Sequence, residues 1–124
     1  MRGTAFVFVA LLLLLSVAAS VTEAAIMRVI VVQTDDLGAY VKEVERGKAI
    51  VSRLGGSTTI RVWRARFAGP HAGQVVVTLE YPDLATYAAQ ESKLSADPEF
   101  QAFLKGIAKM RKIVSDSLYD EQHP

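Results

Sequence analysis

Four residues on two neighbouring predicted strands carry side chains that can act together on a small molecule. Arg61 can bind a carboxylate, the indole of Trp63 can stack on a planar ring, and Glu80 can serve as a base. Thr78 adds a hydroxyl to the same group. Together they predict a ligand-binding site on one face of a sheet. The alternative is an Arg–Glu ion pair that lies under a packed Trp at an interface between two chains.

The last predicted strand extends this site. Side chains alternate between the two faces of a strand, so Tyr119 shares a face with Ser115 and Ser117. We therefore include Tyr119 among the predicted ligand-binding residues. The opposite orientation of this strand, which would place Val114 and Leu118 on that face, stays open at this point.

The rest of the sequence gives little support for a catalytic histidine or a metal-binding site. His71 follows Pro70 in a predicted turn, and a catalytic base would need a second titratable group that the sequence does not place beside it. We interpret His71 as a turn residue and His123 as part of a polar tail. The chain has no cysteine and no cluster of histidines and carboxylates with metal-ligand spacing. We predict neither a metal nor a cofactor.

The elements that must position these residues follow from periodicity. Alternating or β-branched segments predict strands, and apolar residues at steps of three and four predict helices. The predicted strands are 27–34, 58–67, 74–81 and 113–119, and the helices are 37–54 and 84–107. The second helix is interrupted at 95–99, where Asp97 is a good N-cap and Pro98 suits the first helical position. The order βαββαβ predicts an α+β, ferredoxin-like fold with a four-stranded antiparallel sheet.

The two middle strands are predicted to pair through a turn-rich connection, 68–73. This register sets three pairs of residues directly opposite each other: Phe67 and Gln74, Trp63 and Thr78, and Arg61 and Glu80. An opposite-charge pair beside a Trp–Thr pair is favourable cross-strand chemistry. The opposite face of the hairpin is mainly apolar and is expected to lie under the helices.

The N-terminal segment predicts export. One positive charge precedes the apolar run Ala5–Leu15, and small residues follow, as in a secretory signal peptide. A membrane-spanning helix needs about 20 apolar residues, and this run is shorter. We predict a signal peptide over 1–24, a single domain over 25–124, and a periplasmic or secreted protein without a membrane segment after cleavage. The formal net charge of +1 argues against a nucleic-acid partner.

One face of the predicted sheet has no helix to cover it. That face carries Trp63 near its centre, and a bare apolar face of this kind is commonly an interaction surface. We therefore predict a homodimer in which a second copy of the chain packs against this face. An antiparallel sheet can also keep one face in water, so a monomer remains the alternative.

The same segments resemble the dimeric α/β-barrel superfamily, and most closely its NIPSNAP-like members. The resemblance rests on Gly73 at the end of the hairpin, the junction Glu80–Leu84 and the helix break Ser95–Glu99. It covers nearly the whole segment after the predicted signal peptide. The resemblance implies a ferredoxin-like domain that pairs into a dimeric α/β barrel.

A shared fold does not transfer a reaction. The superfamily includes cofactor-independent monooxygenases, haem-degrading enzymes, haem peroxidases, isomerases and proteins with no known activity. Haem-degrading members use a helical histidine as iron ligand, and residues 83–107 contain none. Our prediction is an exported homodimer that binds a small apolar or aromatic molecule between its sheet and the partner chain. The alternatives are a cofactor-independent monooxygenase or isomerase that uses the barrel cavity, and an interaction module with a filled interface.

Overall fold

The computed structural model describes residues 24–67 and 69–124, so the predicted signal peptide lies, apart from Ala24, outside the described residues. The elements along the chain are β1 (Ile26–Gln33), α1 (Leu37–Arg53), β2 (Thr59–Arg64), β3 (Val75–Tyr81), α2 (Leu84–Ala96), α3 (Pro98–Ala108) and β4 (Lys112–Asp120). A short 3₁₀ turn, Gly69–His71, lies between β2 and β3. This order confirms the predicted βαββαβ plan and the division of the second helix in two.

The four strands form one antiparallel sheet in the order β2-β3-β1-β4. The three helices lie against one face of it, and their contacts with the inner strands form the core. This is the ferredoxin-like α+β fold that the sequence predicted. Among the described residues, no helix is long and apolar enough to cross a bilayer.

An aspartate caps the N-terminus of each helix. Asp36, Asp83 and Asp97 have extended backbones, and each side chain accepts a hydrogen bond from a backbone N–H in the first turn. These bonds satisfy donors that the helix itself leaves unpaired. Asp97 also pairs with Arg53 at the end of α1, with 2.8 Å between Oδ2 and Nη2. The cap therefore ties α3 to α1 as well as starting α3.

Helix α1 ends in a Schellman motif. The N–H of Gly55 donates to the carbonyl of Ser52, and the N–H of Gly56 donates to the carbonyl of Val51. Gly55 has a φ of 76°, which a residue with a Cβ adopts only at a cost. The Gly-Gly pair therefore stops the helix and turns the chain towards β2.

The core lies between the helices and the sheet. Alternate residues of β1 and β3 meet side chains from α1 and α3 there. The buried members of the cluster are Ile30, Val32, Tyr40, Val44, Ile50, Val75, Val77, Phe103 and Ile107. Tyr40 and Val32 have no exposed surface.

The predicted register of the β2–β3 hairpin was wrong by two residues. Ala65 pairs with Gln74, because its N–H donates to the Gln74 carbonyl, so the connection covers 66–73 rather than 68–73. Trp63 is opposite Val76, not Thr78. The 3₁₀ turn and a left-handed Gly73, with φ of 86°, take up the two extra residues.

The same shift separates the predicted ion pair. Arg61 is opposite Thr78, and Glu80 is opposite Thr59. Within the described residues, no ion pair joins Arg61 and Glu80. A shift of two keeps every side chain on its predicted face, because strand side chains alternate with a period of two. The predicted faces of the hairpin are therefore correct although the partners are not.

Candidate functional site

The five residues predicted from the sequence lie on the sheet face that the helices leave open. Ile60 and Val62 pack against the core, so the intervening side chains of β2 point the other way. In β3 the same alternation places the partly buried Thr78 and Glu80 on the open face, since Val77 is in the core. Tyr119 is opposite Met27, which is itself opposite Glu80, so Tyr119 shares the open face. The predicted orientation of the last strand is confirmed.

These five residues do not form a single enclosed site. Trp63 Nε1 donates to Thr78 Oγ1 at 2.8 Å, a diagonal contact between the strands. Arg61 and Trp63 line one open depression beside α1, whereas Glu80 and Tyr119 line another near the start of β1. Trp63 and Tyr119 are 49% and 53% exposed. The open face is therefore a broad, partly apolar surface, and its role in binding remains a prediction.

A partly open cavity lies on the other side of the sheet, between the sheet and the helices. We call it the interlayer cavity, and its volume is about 110 Å³. Most of its wall is apolar, with Val44, Ile60, Leu79, Leu94 and Phe100 among the lining residues. A cavity of about 150 Å³ in another protein holds benzene, so this smaller space limits a ligand to at most a single ring or a short branched chain. It is smaller than the roughly 300 Å³ at which drug-sized sites begin.

One side of the interlayer cavity is polar because Arg28 interrupts the apolar face of β1. Arg28 Nε and Nη2 donate to the two carboxylate oxygens of Asp116 at 2.9 and 2.6 Å. Its Nη1 lies 3.5 Å from Glu91 Oε1 on α2. The hydrogen bonds from Arg28 lower the pKa of Asp116, and the charges of Arg28 and Arg111 lower it further. This group therefore stays ionised and joins β1, β4 and α2.

Two residues that line the cavity each have a buried polar side-chain atom without a hydrogen-bond partner among the described residues. These atoms are Gln90 Nε2 and Arg111 Nε, whereas the Tyr81 hydroxyl has Thr58 as a partner. Gln90 accepts a hydrogen bond from Thr58 through its other amide atom. A buried polar group without a partner costs about 1–3 kcal/mol, so two such atoms in residues that line one cavity are a reason to expect a ligand or water there.

Two tyrosines, Tyr81 and Tyr40, are among the residues that line the cavity. Tyr81 packs edge-on against Tyr87, with ring centroids 5.0 Å apart. Burial raises the pKa of Tyr81 to about 12. Tyr40 accepts a hydrogen bond from Arg111 Nη1 at 3.0 Å. The Tyr81 hydroxyl therefore stays protonated at pH 7.

Sequence reasoning missed this group of polar residues. Arg28 lies in the predicted strand 27–34 and Glu91 in the predicted helix 84–107, and neither was among the predicted site residues. Each is a charged residue at a position where the pattern calls for an apolar one, and that mismatch was the available signal. The third member, Asp116, lies 88 residues from Arg28 in the chain. No local sequence pattern connects Arg28 with Asp116.

His71 lies in the exposed hairpin connection, where its Nδ1 is 2.9 Å from Gln74 Oε1. This contact fits the predicted role of a turn residue. Over residues 24–67 and 69–124, no group of His, Asp or Glu has an arrangement that could hold a metal ion.

The sequence profile of the NIPSNAP family matches residues 25–119. This chain belongs to the NIPSNAP family. The predicted resemblance to NIPSNAP-like proteins is thus confirmed. The comparison of this NIPSNAP chain with curated proteins gave no match.

Solved structures with the same fold include NIPSNAP proteins and an oxygenase. A NIPSNAP family protein from Agrobacterium tumefaciens is 21% identical with a TM-score of 0.59, over 82% of this chain and 88% of that one. An uncharacterised NIPSNAP domain protein from Burkholderia xenovorans is 21% identical with a TM-score of 0.60, over 82% and 94%. SnoaB, a cofactor-independent oxygenase from Streptomyces nogalater, is 14% identical with a TM-score of 0.61, over 82% and 96%. At these identities the likeness shows the fold alone.

Proposed function

We propose that this NIPSNAP protein binds a small apolar or aromatic molecule in the interlayer cavity. The observation that carries the proposal is a mostly apolar space whose lining residues include Gln90 and Arg111, each with a buried polar atom that has no partner. Ligand sites typically combine apolar walls with a few polar groups that fix orientation. An interaction module with a filled core would have no reason to leave such atoms unpaired.

The test is calorimetric titration with neutral single-ring probes such as toluene and benzyl alcohol. We expect saturable binding by the wild type and none by Leu79→Trp, because Leu79 lines the cavity and the larger ring would fill it. Leu118→Trp is the matched control, since Leu118 is 46% exposed and does not line the cavity. Binding that survives in Leu79→Trp would contradict the proposed location.

A cofactor-independent oxygenase that uses the same cavity is the second candidate. It is favoured by the fold shared with SnoaB, which is a cofactor-independent oxygenase. Oxygen uptake with single-ring phenols, without any added cofactor, would distinguish an enzyme from a binder. Uptake by the wild type that is lost in Leu79→Trp would support the enzyme. Binding without uptake would support the binder.

We further propose that the protein is exported and acts as a homodimer. The apolar run followed by small residues supports export, and the open sheet face around Trp63 supports dimerisation. N-terminal sequencing of the exported protein should begin within a few residues of Ala25. Membrane-bound protein that still begins at Met1 would indicate a signal anchor instead.

A further inference from the structure

Two arginines line the interlayer cavity, and they differ in what they bind. Arg28 uses Nε and Nη2 on Asp116 and directs Nη1 towards Glu91. Its guanidinium is therefore already occupied by carboxylates of the protein. Arg111 forms no ion pair with any of the described residues. Of the two cations, Arg111 is the one whose charge has no direct counter-ion.

One hydrogen bond fixes the Arg111 side chain and leaves another of its N–H donors without a partner. It lies between α3 and β4, where its Nη1 donates to the hydroxyl of Tyr40, a residue with no exposed surface. Its Nε is buried and has no partner. Arg111 therefore lines the cavity as a positioned cation that still has an unpaired N–H donor.

The second unpartnered atom has the same polarity, because Gln90 Nε2 is a donor only. No unpartnered atom of the cavity wall, within the described part of the chain, is an acceptor only. The complementary ligand is therefore one that brings acceptors. A carboxylate brings two oxygens in the spacing that a guanidinium recognises, and charged hydrogen bonds of this kind are among the strongest.

We infer that the ligand is a small monocarboxylate and that Arg111 is the residue that recognises its anionic group. This inference rests on the proposed function of the interlayer cavity. The volume of about 110 Å³ limits the apolar part to a single ring or a short branched chain. The side chains of Val44, Ile60 and Phe103 supply the apolar contacts.

The experiment compares benzoate with benzyl alcohol by calorimetric titration of the purified protein at neutral pH. Both probes carry one ring, and only benzoate carries a charge. We expect benzoate to bind about tenfold more tightly or better, since a charge-assisted pair replaces a neutral contact. Arg111→Met should remove this preference while benzyl alcohol still binds, and Arg111→Lys should keep part of it. Lys109→Met is the matched control, because it removes the same charge from an exposed neighbour that does not line the cavity.

The outcomes of this experiment test the recognition of a carboxylate by Arg111 separately from the proposed binding of a small molecule in the interlayer cavity. Benzyl alcohol that binds as tightly as benzoate would overturn the inference and leave the proposed function standing. A preference for benzoate that persists in Arg111→Met would also overturn it. Failure of both probes to bind would overturn both. If Arg111→Met does not fold, Tyr40→Phe removes only the neighbouring hydroxyl, and an unchanged preference in that variant would count against the inference.

Discussion

The close approach of α1 to α3 at Gly47 predicts an unusual response to a Gly→Ala substitution. Gly47 is buried in α1 and lines the interlayer cavity beside Phe103. A Cβ at this position would lie 2.6 Å from Phe103 Cζ and 3.0 Å from Cε1. Carbon atoms in normal contact are about 3.5–4.0 Å apart, so the ring must move by about 1 Å.

Two opposing effects set the change in the free energy of unfolding that Gly47→Ala should cause. Replacing a mid-helix glycine by alanine stabilises a helix by about 0.5–1 kcal/mol. Overpacking a core costs typically about 1–3 kcal/mol, and here the ring has the cavity into which it can move. We therefore expect Gly47→Ala to lower the free energy of unfolding by up to about 2 kcal/mol, and to weaken the binding of single-ring probes because Phe103 then occupies part of the cavity.

Gly106→Ala is the matched control. Gly106 lies in α3, is exposed, and would place its Cβ in open space. That substitution should stabilise the protein by about 0.5 kcal/mol or more, through helix propensity alone. The assay is equilibrium unfolding in urea, with probe binding measured on the same samples. If Gly47→Ala is as stabilising as Gly106→Ala and binds probes normally, the packing described for Phe103 is wrong.

Three further predictions concern charge and assembly. Because the pKa of Tyr81 is raised in the folded state, its contribution to the free energy of unfolding is complete below pH 10.0 and is lost as the pH rises towards about 12. Unfolding curves recorded across that range should show this decline in the wild type and not in Tyr81→Phe. A double-mutant cycle of Arg28→Met and Asp116→Leu should give a coupling of about 1–2 kcal/mol, between values for surface and buried pairs. That coupling should fall as the pH drops below about 3.8, because the lowered pKa of Asp116 gives stability only while its carboxylate is ionised. If the effects of the two single substitutions simply add at pH 7, the pairing is refuted. Trp63→Arg should convert a dimer into a monomer or an aggregate in light scattering, and a wild type that is monomeric at micromolar concentration with Trp63 open to quencher would contradict the proposed dimer.

The sequence alone determined the order of the elements and the faces of the strands. Periods of two and of about 3.6 are local properties, so the strands, the stripes of the helices and the break at Asp97 could be predicted without knowledge of the fold. The cap of α3 is an example, since Asp97 and Pro98 act on atoms within three residues. The open face around Trp63 followed from the same alternation.

Only the tertiary structure decided which residues meet. The register of the hairpin depended on how many residues the turn before Gly73 takes up, and the pattern of the strands is unchanged by a shift of two. The interlayer cavity depended on side chains from α1, α2, α3 and the sheet, which the chain brings together from distant positions. Arg28 and Asp116 are 88 residues apart and meet because β1 lies between β3 and β4. A pairing of that range leaves no periodic signal in the sequence, because it is set by strand order rather than by neighbouring residues.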